Sequence, residues 1–382
     1  MPIDIRGRLP VSPAQSNSSV LNDYLEFYTG RPSGFNAQVL VQAARDQEAL
    51  GFDSSLFPQR ATGPAVWPVV GWALAATQRL KVVAAHRTGL ELPTTAARTI
   101  ATLDRLSSGR LRVHYLQGSD DTDMQRDGIF HPKSERYARS HEYLDIFLKE
   151  LTAVEPFDYN GQFYRVEGAR SDVLPVQKPY PVLSIPGTSE AAVALAAKYA
   201  DIYSVPMATL DTARRAIERI APLATAAGRR LGYWGDTNII LGRTDEEAWA
   251  LAHALGDAIE EQQDRRGTVE DYANSRAALA VHGSSPHAGD VWYLRLNVLT
   301  GHGYSLVGSP ATLAQHLLQF YSLGIGVITL GGIGNRYDEG GIRLDRPEQV
   351  ALLKELIALL HQGAEAIDRE AEATDKLRAA SR

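Results

Sequence analysis

The sequence predicts an α/β protein folded as a (β/α)8 TIM barrel, with insertions at the C-terminal face and a C-terminal helical extension. Short β-branched segments alternate with amphipathic segments at roughly 30 residues per pair, which is typical of parallel βα units. Eight such strand segments occur in the 382 residues, and barrels with insertions reach this length as one domain. An open doubly wound sheet is the alternative, but it does not usually need eight repeats.

The predicted strands are short, and most of them end at a proline or run into a polar loop. The segment 81–86 (KVVAAH) shows the β-branched composition of a buried strand. In chain order, the predicted strands cover residues 3–9, 52–57, 81–86, 111–116, 182–186, 201–205, 237–241 and 327–330.

The predicted helices carry apolar residues at helical spacing and recognisable start and stop residues. In chain order they cover residues 35–50, 64–77, 93–108, 134–151, 190–199, 210–227, 244–255 and 309–323. Pro64 is expected at the first position of its helix, and Ser134 is expected at the N-cap of another. Gly109 follows the helix at 93–108 and is expected to adopt a left-handed conformation.

Two regions depart from this alternation. The segment 157–166 predicts a β-hairpin with its tight turn at Asn160-Gly161. Residues 260–304 are less periodic and contain GSSPHAG, which is expected to be an insertion or a loop.

The predicted domain organisation is a barrel at 1–345 followed by a helical extension at 346–382. Net charge is −6, which gives no electrostatic reason to expect nucleic acid or an anionic membrane as a partner. The sequence contains no cysteine, so disulfides, thiolate nucleophiles and thiolate metal sites are excluded. Neither a signal pattern at the N-terminus nor an apolar run of membrane-spanning length is present, and a cytoplasmic protein is expected.

Metal sites and nucleotide-binding P-loops are not expected. His282, His287 and His302 occur in loop-like sequence without a metal-ligand spacing such as HExxH. The run GGIG that begins at Gly331 is not followed by a helix with a Lys-Ser/Thr start.

Gly187, Thr188 and Ser189 stand between a predicted strand and a predicted helix. A helix N-terminus with small residues exposes backbone N–H groups and suits a phosphate group. Simple N-capping of the helix by Thr188 or Ser189 is an equally good interpretation of these residues alone.

Polar residues follow two other predicted strands. His114 and Gln117 flank the end of the strand at 111–116, and His86-Arg87 end the preceding strand. Because parallel strands of a barrel carry their sites at the carboxyl ends, we favour a ligand pocket here. A satisfied pair of polar groups in the core is the alternative interpretation.

Several motifs resemble one known family. They are TLDRLSSGR (102–110), QGSD (117–120), SERY (134–137), LGFD (50–53), TQRLKVV (77–83), PTTAARTIATLDR (93–105), DYNGQFYRVEGA (158–169) and SLVGSPATLA (305–314). In these motifs the chain resembles the flavin-dependent alkanesulfonate monooxygenases, which belong to the bacterial-luciferase-like superfamily. The fold of that family is a (β/α)8 barrel, which agrees with the strand count.

The resemblance implies a two-component reaction. A separate flavin reductase would supply reduced FMN, and the reduced flavin would use O2 to oxygenate a small organic molecule inside a barrel that excludes water. The cofactor-binding residues that it implies are Gln117 and Ser119 for the flavin ring and ribityl chain, and Tyr137, Gly187, Thr188 and Ser189 for the phosphate.

The chain departs from the sulfonate enzymes at several positions. Their Arg-x-His pair on strand seven is here Asp236-Thr237-Asn238, and their asparagine on strand four is His114. Further replacements are Thr300 for a loop arginine, Gly63 for a cysteine, Lys133 for a histidine, and Gly331-Gly332-Ile333 for Ser-Gly-Tyr. An anionic sulfonate needs cationic partners. The remaining cationic candidates are Arg87, Lys133, Arg295 and Arg336.

The sequence therefore predicts an FMNH2-dependent monooxygenase of a small organic substrate, with sulfonate cleavage as one option. The residues expected to act are His114, Asn238 and Arg87 in catalysis, and Asp236, Lys133 and Arg295 in substrate binding. A deazaflavin-dependent oxidoreductase on the same barrel and a flavin-binding barrel without oxygenase activity are the alternatives. The tail beyond Arg346 is expected to pack at a homo-oligomer interface, in a dimer or a tetramer.

Overall fold

The structure, a computed structural model, describes residues 2–11, 20–21, 34–118, 121–266, 296, 305–332, 337–338, 341–342 and 346–380. Of the residues singled out in the sequence, Ser119, Arg295, Thr300, Arg336 and the loop that contains GSSPHAG lie outside the described residues.

Strands and helices alternate along the described chain. The strands are β1 Asp4–Arg8, β2 Ser54–Phe57, β3 Lys81–Arg87, β4 Leu111–Leu116, β5 Phe157–Asn160, β6 Arg165–Ala169, β7 Leu183–Ile185, β8 Ile202–Ser204, β9 Gly232–Leu241, β10 Ser305–Gly308, β11 Val327–Gly332, β12 Tyr337–Asp338 and β13 Gly341–Ile342. The helices are α1 Ala37–Leu50, α2 Val66–Ala76, α3 Pro93–Leu106, α4 Asp121–Arg126, α5 Lys133–Thr152, α6 Glu190–Tyr199, α7 Leu210–Ala226, α8 Asp245–Arg266, α9 Pro310–Ser322 and α10 Pro347–Ala380. No helix of the described chain is both long and apolar enough to cross a membrane.

The described chain divides into two compact units. The first unit comprises Met1–Phe52, Pro206–Ala213 and Gly235–Arg382, and the second comprises Asp53–Val205 and Arg214–Trp234. In the first unit the parallel strands follow the order β10-β9-β11-β1. In the second unit the order is β2-β3-β4-β7-β8, and β8 also pairs with the first residues of β9.

The fold class is the predicted (β/α)8 barrel with a C-terminal helix. Its eight strands are β1 to β4, β7 to β9 and β11, and helices alternate with them along the chain. Strands such as β2 and β11 are buried along their whole length, as expected where both faces of a parallel sheet are covered.

The motif TLDRLSSGR is a structural anchor in the second unit. The carboxylate of Asp104, which is fully buried, accepts hydrogen bonds from Val176 N at 2.7 Å, Gln177 N at 3.0 Å and Gln177 Nε2 at 2.6 Å. Gly109 has a φ of 84°, so the predicted left-handed glycine is confirmed. The motif therefore fixes the loop that follows the hairpin β5–β6.

Some elements run further than predicted, and four short elements were missed. β9 begins at Gly232 rather than at residue 237. Its first five residues, GYWGD, were not predicted as strand because they contain two glycines and no β-branched run. α8 continues past Gly256 to Arg266, since a single glycine inside a helix is tolerated. The short strands β10, β12 and β13 and the short helix α4 were not predicted.

The two helix starts predicted at Pro64 and at Ser134 were wrong. α2 begins at Val66 after Ala65, which has no polar side chain to act as a cap, so Pro64 lies outside the helix. α5 begins at Lys133 with Pro132 at the N-cap position, and Ser134 is already inside the first turn. The extended Pro132 therefore precedes this helix without supplying a side-chain cap.

The hairpin is present, but its predicted tight turn is wrong. Asn160 pairs with Arg165, so four residues connect the strands β5 and β6. The carboxylate of Glu142, on α5, accepts hydrogen bonds from the backbone N–H groups of residues 162, 163 and 164 at 2.7, 2.9 and 3.0 Å. A partner distant in sequence therefore sets the loop in place of a local Asn-Gly turn.

The C-terminal helix α10 packs against α9 and α1 within the first unit. Leu353, Leu356 and Leu360 are at most 1% exposed. Tyr321 Oη, on α9, lies 2.9 and 2.8 Å from the two carboxylate oxygens of Asp368. The helix is thus part of the hydrophobic core of this unit, whereas its role at a homo-oligomer interface and the domain boundary at 345 stay predictions.

His86 belongs to the core of the second unit. Its ring centroid lies 5.3 Å from that of Trp67 and 5.7 Å from that of Tyr143, and its Nε2 is 2.6 Å from Tyr143 Oη. Burial lowers the pKa of His86 to about 4. The core interpretation of this residue therefore fits better than a ligand-facing one.

Replacing Leu356 by Ala should lower the free energy of unfolding by about 2–5 kcal/mol, because the side chain is fully buried between helices. Urea unfolding followed by circular dichroism measures this loss. Leu223, which is 48% exposed on α7, is the matched control, and its replacement by Ala should change stability little. Equal losses in the two variants would contradict the packing of α10.

His86 should make the protein less stable as the pH falls from 7 to 5. In the unfolded chain this histidine takes up a proton near its ordinary pKa of 6.5, while in the folded protein it stays neutral down to about pH 4, so stability is lost across this window. The full shift corresponds to about 3 kcal/mol. Urea midpoints at pH 7 and pH 5 should therefore differ less for His86→Gln than for the wild type. The same change at the exposed His253 is the control, and a pH dependence unaltered by His86→Gln would contradict this assignment.

Candidate functional site

Three of the described candidate positions of the second unit lie at the carboxyl ends of its strands. Arg87 ends β3, Gln117 directly follows β4, and Gly187 is the second residue after β7. In the register of the sheet, Arg87 lies opposite Leu116, the residue just before Gln117. Carboxyl ends of parallel strands are the edge at which barrels carry their sites.

The segment Gly187-Thr188-Ser189 forms a turn at the N-terminus of α6. Ser189 is the N-cap residue, and its Oγ accepts a hydrogen bond from Ala192 N at 3.3 Å. Gly187 has a φ of 122°, and a Cβ on it would lie 2.6 Å from Ala192 Cβ. Glycine is therefore required here both for the backbone conformation and for space.

The carbonyl oxygens of this turn are occupied. Tyr203 Oη, on β8, donates to Gly187 O at 2.7 Å. Arg219 Nη1, on α7, donates to Thr188 O at 2.7 Å and adds a positive charge beside the turn. Because each of these oxygens already accepts a hydrogen bond, the turn is better suited to donate through its backbone N–H groups, and the helix dipole would add to the attraction of an anion.

Tyr137 joins this turn from α5. Ser189 Oγ lies 3.5 Å from Tyr137 Oη, so the two hydroxyl groups are neighbours. Ser189 donates in this contact, which leaves the Tyr137 hydroxyl able to donate to a further group. The structure thus brings together Tyr137, Gly187, Thr188 and Ser189, which the resemblance implied as one set.

Gln117 carries a buried amide without a partner. The residue is 5% exposed, and its Nε2 has no hydrogen-bond partner among the described residues. A buried N–H group left unsatisfied is costly and calls for an explanation, such as a ligand that completes the site. Gly118, which follows, has a φ of 81°.

His114 lies in the middle of β4 and is 5% exposed. Its Nδ1 is 2.9 Å from Ser184 Oγ, and Ser184 Oγ donates to Val113 O at 3.2 Å. Because the hydroxyl proton is used in that bond, Ser184 accepts a hydrogen bond from Nδ1–H of His114. The ring of Trp234 approaches His114 edge-on, with centroids 4.8 Å apart.

Arg87 is engaged by two carboxylates. Its Nη1 donates to Asp127 Oδ2 at 2.9 Å, its Nη2 forms an ion pair with Asp123, and the side chain is 6% exposed. Burial by itself would raise the pKa of Asp123, but hydrogen bonds from Arg87 and Ala61 N lower it below its ordinary value. The charge of Arg87 is therefore already compensated within the protein.

The remaining candidates are more dispersed. Lys133 is exposed at the first residue of α5. Asp236 and Asn238 belong to the first unit, where Arg8 Nη2 lies 2.6 Å from both carboxylate oxygens of Asp236. Asn238 is 3% exposed on β9. Their roles in substrate binding and catalysis stay predictions.

Sequence reasoning missed the partners that hold the site. Arg219, Tyr203, Ser184 and Asp123 each contact a candidate residue from a different element of the second unit. No local pattern distinguishes them from other surface arginines or core hydroxyls. In the ranges that the structure describes, no three His, Asp or Glu side chains group closely enough to hold a metal ion.

Comparisons with known proteins give the family. The model of the family described as luciferase-like monooxygenase matches residues 25–327. The fold is shared with the solved structure of EDTA monooxygenase from Chelativorans sp. BNC1, at 16% identity and a TM-score of 0.69, with 96% of this chain and 94% of that chain covered.

Two further solved structures share the fold. The oxygenating constituent of 3,6-diketocamphane monooxygenase from Pseudomonas putida, in complex with FMN, is 18% identical with a TM-score of 0.65, over 95% of this chain and 99% of that one. Coenzyme F420-dependent tetrahydromethanopterin reductase from Methanopyrus kandleri is 15% identical with a TM-score of 0.62, over 95% of this chain and 98% of that one.

At these identities the structural likeness shows the fold, while the family model shows descent. The superfamily named from the sequence motifs is confirmed, and its sulfonate-specific branch stays a prediction. Because the family model spans residues 25–327, the chain is an enzyme of the luciferase-like monooxygenase family.

Proposed function

We propose that this enzyme is a two-component monooxygenase that oxygenates a small organic substrate with O2 and reduced FMN supplied by a separate flavin reductase. The observation that carries the proposal is the amide-lined turn at Gly187–Ser189, in the same unit as the unsatisfied amide of Gln117. An anion-binding turn and a buried amide donor are the two kinds of group that a flavin mononucleotide needs.

The residues present fit the phosphate end of FMN. The N–H groups at the start of α6 and the hydroxyl group of Tyr137 would donate hydrogen bonds to the phosphate, and Arg219 supplies a positive charge beside them. Thr188 and Ser189 are exposed, which suits a phosphate at the rim of a site.

The residues also fit the ring of a flavin. Gln117 Nε2 is a donor without a partner in the part of the chain that the structure describes, and the carbonyl groups of the isoalloxazine ring are acceptors. Reduced flavin supplies the activation of O2, which no protein side chain provides. The part of the protein is to hold the ring, to exclude water and to place polar groups around the substrate.

His114 is proposed as the polar group that acts beside the ring. Ser184 and Val113 O fix the proton on Nδ1, so that Nε2 is the basic nitrogen of the neutral ring. Such a ring can accept a proton from a substrate or accept a hydrogen bond from a protonated one.

Arg87 is not proposed to bind an anionic substrate, because Asp123 and Asp127 already compensate its charge. There is therefore less reason to expect a sulfonate substrate. The substrate class that we propose is a small organic molecule that does not need an anionic group.

A deazaflavin-dependent hydride transfer is the second candidate function. It is favoured by the fold shared with the F420-dependent reductase of Methanopyrus kandleri, whose TM-score is close to those of the oxygenases. A barrel that binds flavin without oxygenase activity is the third candidate.

The purified chain should bind FMN and, with a flavin reductase, NADH and O2, should consume an organic substrate. Equilibrium titration under air and under anaerobic reduction measures the binding, and oxygen uptake measures the reaction. Oxygen-independent turnover with F420 would favour the second candidate. Failure to bind FMN in either redox state would sink the proposal.

Replacing Gly187 by Ala should weaken FMN binding by about tenfold or more, since the new Cβ meets Ala192 and displaces the N–H groups of the turn. Gly228→Ala is the matched control. Gly228 also has a positive φ, of 71°, but a Cβ there meets no described atom within 4 Å. Both changes should cost roughly 1–2 kcal/mol of stability through the left-handed backbone, and only the first should alter binding. Equal losses of affinity in the two variants would contradict the assignment of the turn.

Replacing His114 by Ala should lower kcat by about 100-fold or more while FMN binding and folding change little, as expected for a general acid or base. Ser184→Ala should give a smaller loss, because it removes only the group that fixes the proton on Nδ1. Steady-state kinetics with the reductase in excess measures both. Unchanged turnover of His114→Ala would exclude this role.

A further inference from the structure

We infer that Arg87 and Arg136 are positioning residues that hold the backbone on either side of Gln117, so that its buried amide is set before the flavin ring binds. The inference rests on the proposed function, since it concerns the same cofactor site. It assigns Arg87, expected from the sequence to be catalytic, a role through another residue.

Arg87 ties helix α4 to the end of β3. Its guanidinium group reaches Asp123 and Asp127, on and just after α4, and its Nη2 also lies 3.4 Å from Gln59 O in the loop after β2. The other carboxylate oxygen of Asp123 accepts a hydrogen bond from Ala61 N at 3.2 Å. Two loops at the carboxyl edge of this sheet are thereby joined through one buried cation.

Arg136 holds the same segment from the opposite side. Its Nη2 donates to Gly118 O at 3.2 Å and to Asp121 Oδ1 at 2.8 Å, and its Nη1 donates to His131 O at 2.7 Å. The residue is 5% exposed. One guanidinium group thus holds both the backbone carbonyl of the residue after Gln117 and the side chain of the first residue of α4.

The carbonyl before Gln117 is also held. Leu116 O accepts hydrogen bonds from Thr88 N at 3.0 Å and from Thr88 Oγ1 at 3.2 Å. Thr88 directly follows Arg87, so the ion pairs of Arg87 also fix the position of Thr88. With the carbonyls of Leu116 and Gly118 held, the backbone of Gln117 has little freedom to move.

Helix α4 closes against this backbone. Gly118 is in the left-handed conformation, and a Cβ added there would overlap the side chain of Met124, which is 1% exposed on α4. The helix therefore lies directly on the Gln117–Gly118 backbone, and anything that releases α4 releases the segment that carries the unsatisfied amide.

The charges explain why arginine is needed at both positions. Asp121, Asp123 and Asp127 bring three negative charges to one short segment. Arg87 pairs with the largely buried Asp123 and Asp127, whereas Arg136 pairs with Asp121, whose side chain is 69% exposed. Each guanidinium group contacts several acceptors at once, which the single ammonium group of lysine cannot reproduce. Loss of either arginine would leave carboxylates to repel one another and to draw α4 towards water.

The test is a double-mutant cycle on FMN affinity. Gln117→Ala and Arg87→Gln should each raise the dissociation constant for FMN by about tenfold or more. In the double variant this constant should exceed that of the single variant with the lower affinity by no more than about threefold. Asp127→Asn, which keeps the side-chain shape and should fold even if Arg87→Gln does not, should give a loss in the same direction. Arg136→Gln should reproduce the effect from the other side of the segment.

Amide hydrogen exchange gives a readout that does not depend on activity. Exchange at residues 117–118 and 121–126 should speed up in Arg87→Gln and Arg136→Gln without flavin. Arg229→Gln is the matched control, because Arg229 forms a comparable ion pair with Asp201, 2.6 Å away, at the opposite ends of the strands. It should alter neither this exchange nor FMN affinity.

The outcomes separate this inference from the proposed function. Wild-type protein that binds no flavin would overturn both. Wild-type protein that binds FMN would leave the function standing, and the inference would then be overturned by unaltered affinity in Arg87→Gln or Asp127→Asn. Fully additive losses in the cycle would likewise overturn it, because Arg87 would then act independently of Gln117.

Discussion

Compensation of buried charge at the carboxyl ends of the strands is the constraint on which the candidate site depends. A guanidinium group can be buried only where carboxylates and carbonyl oxygens accept its hydrogen bonds, because an uncompensated charge there is strongly destabilising. Arg87 and Arg136 meet this condition by drawing in the short helix α4 and the loops around it. The polypeptide around Gln117 is thus ordered by ion pairs, whereas its amide Nε2 has no hydrogen-bond partner among the described residues.

The same edge combines two different ways of satisfying polar groups. Around Gln117 the protein provides acceptors for its own cations, and at Gly187 it provides donors for its own carbonyl oxygens. At His114 the hydroxyl group of Ser184 forms a hydrogen bond with one of the two ring nitrogens. The amide of Gln117 and the backbone N–H groups at Gly187 are donors of the kind that the proposed flavin mononucleotide would need.

The sequence was sufficient wherever structure depends on local pattern. The strand Leu111–Leu116 and the helix Glu190–Tyr199 have the predicted bounds, because β-branched runs and apolar spacing decide them. Elements with weak local signals, such as α4 and the glycine-containing start of β9, escaped prediction. The site followed the same division. The small residues around Gly187 were enough to predict a turn there. No local pattern, however, shows that Asp123 forms an ion pair with Arg87 or that Glu142 holds the loop of the hairpin.

Tyr203 and Arg219 donate hydrogen bonds to the carbonyl oxygens of Gly187 and Thr188. These bonds leave the turn with more hydrogen-bonding capacity on its N–H groups than on its carbonyl groups. A loop with free carbonyl oxygens can bind a phosphate through a shared divalent cation, as well as directly. Here each of those oxygens already accepts a hydrogen bond from the protein, which favours direct contact between the proposed phosphate and the backbone N–H groups over contact through a divalent cation. The way in which the turn satisfies its own carbonyl groups would therefore bias it towards an anionic ligand.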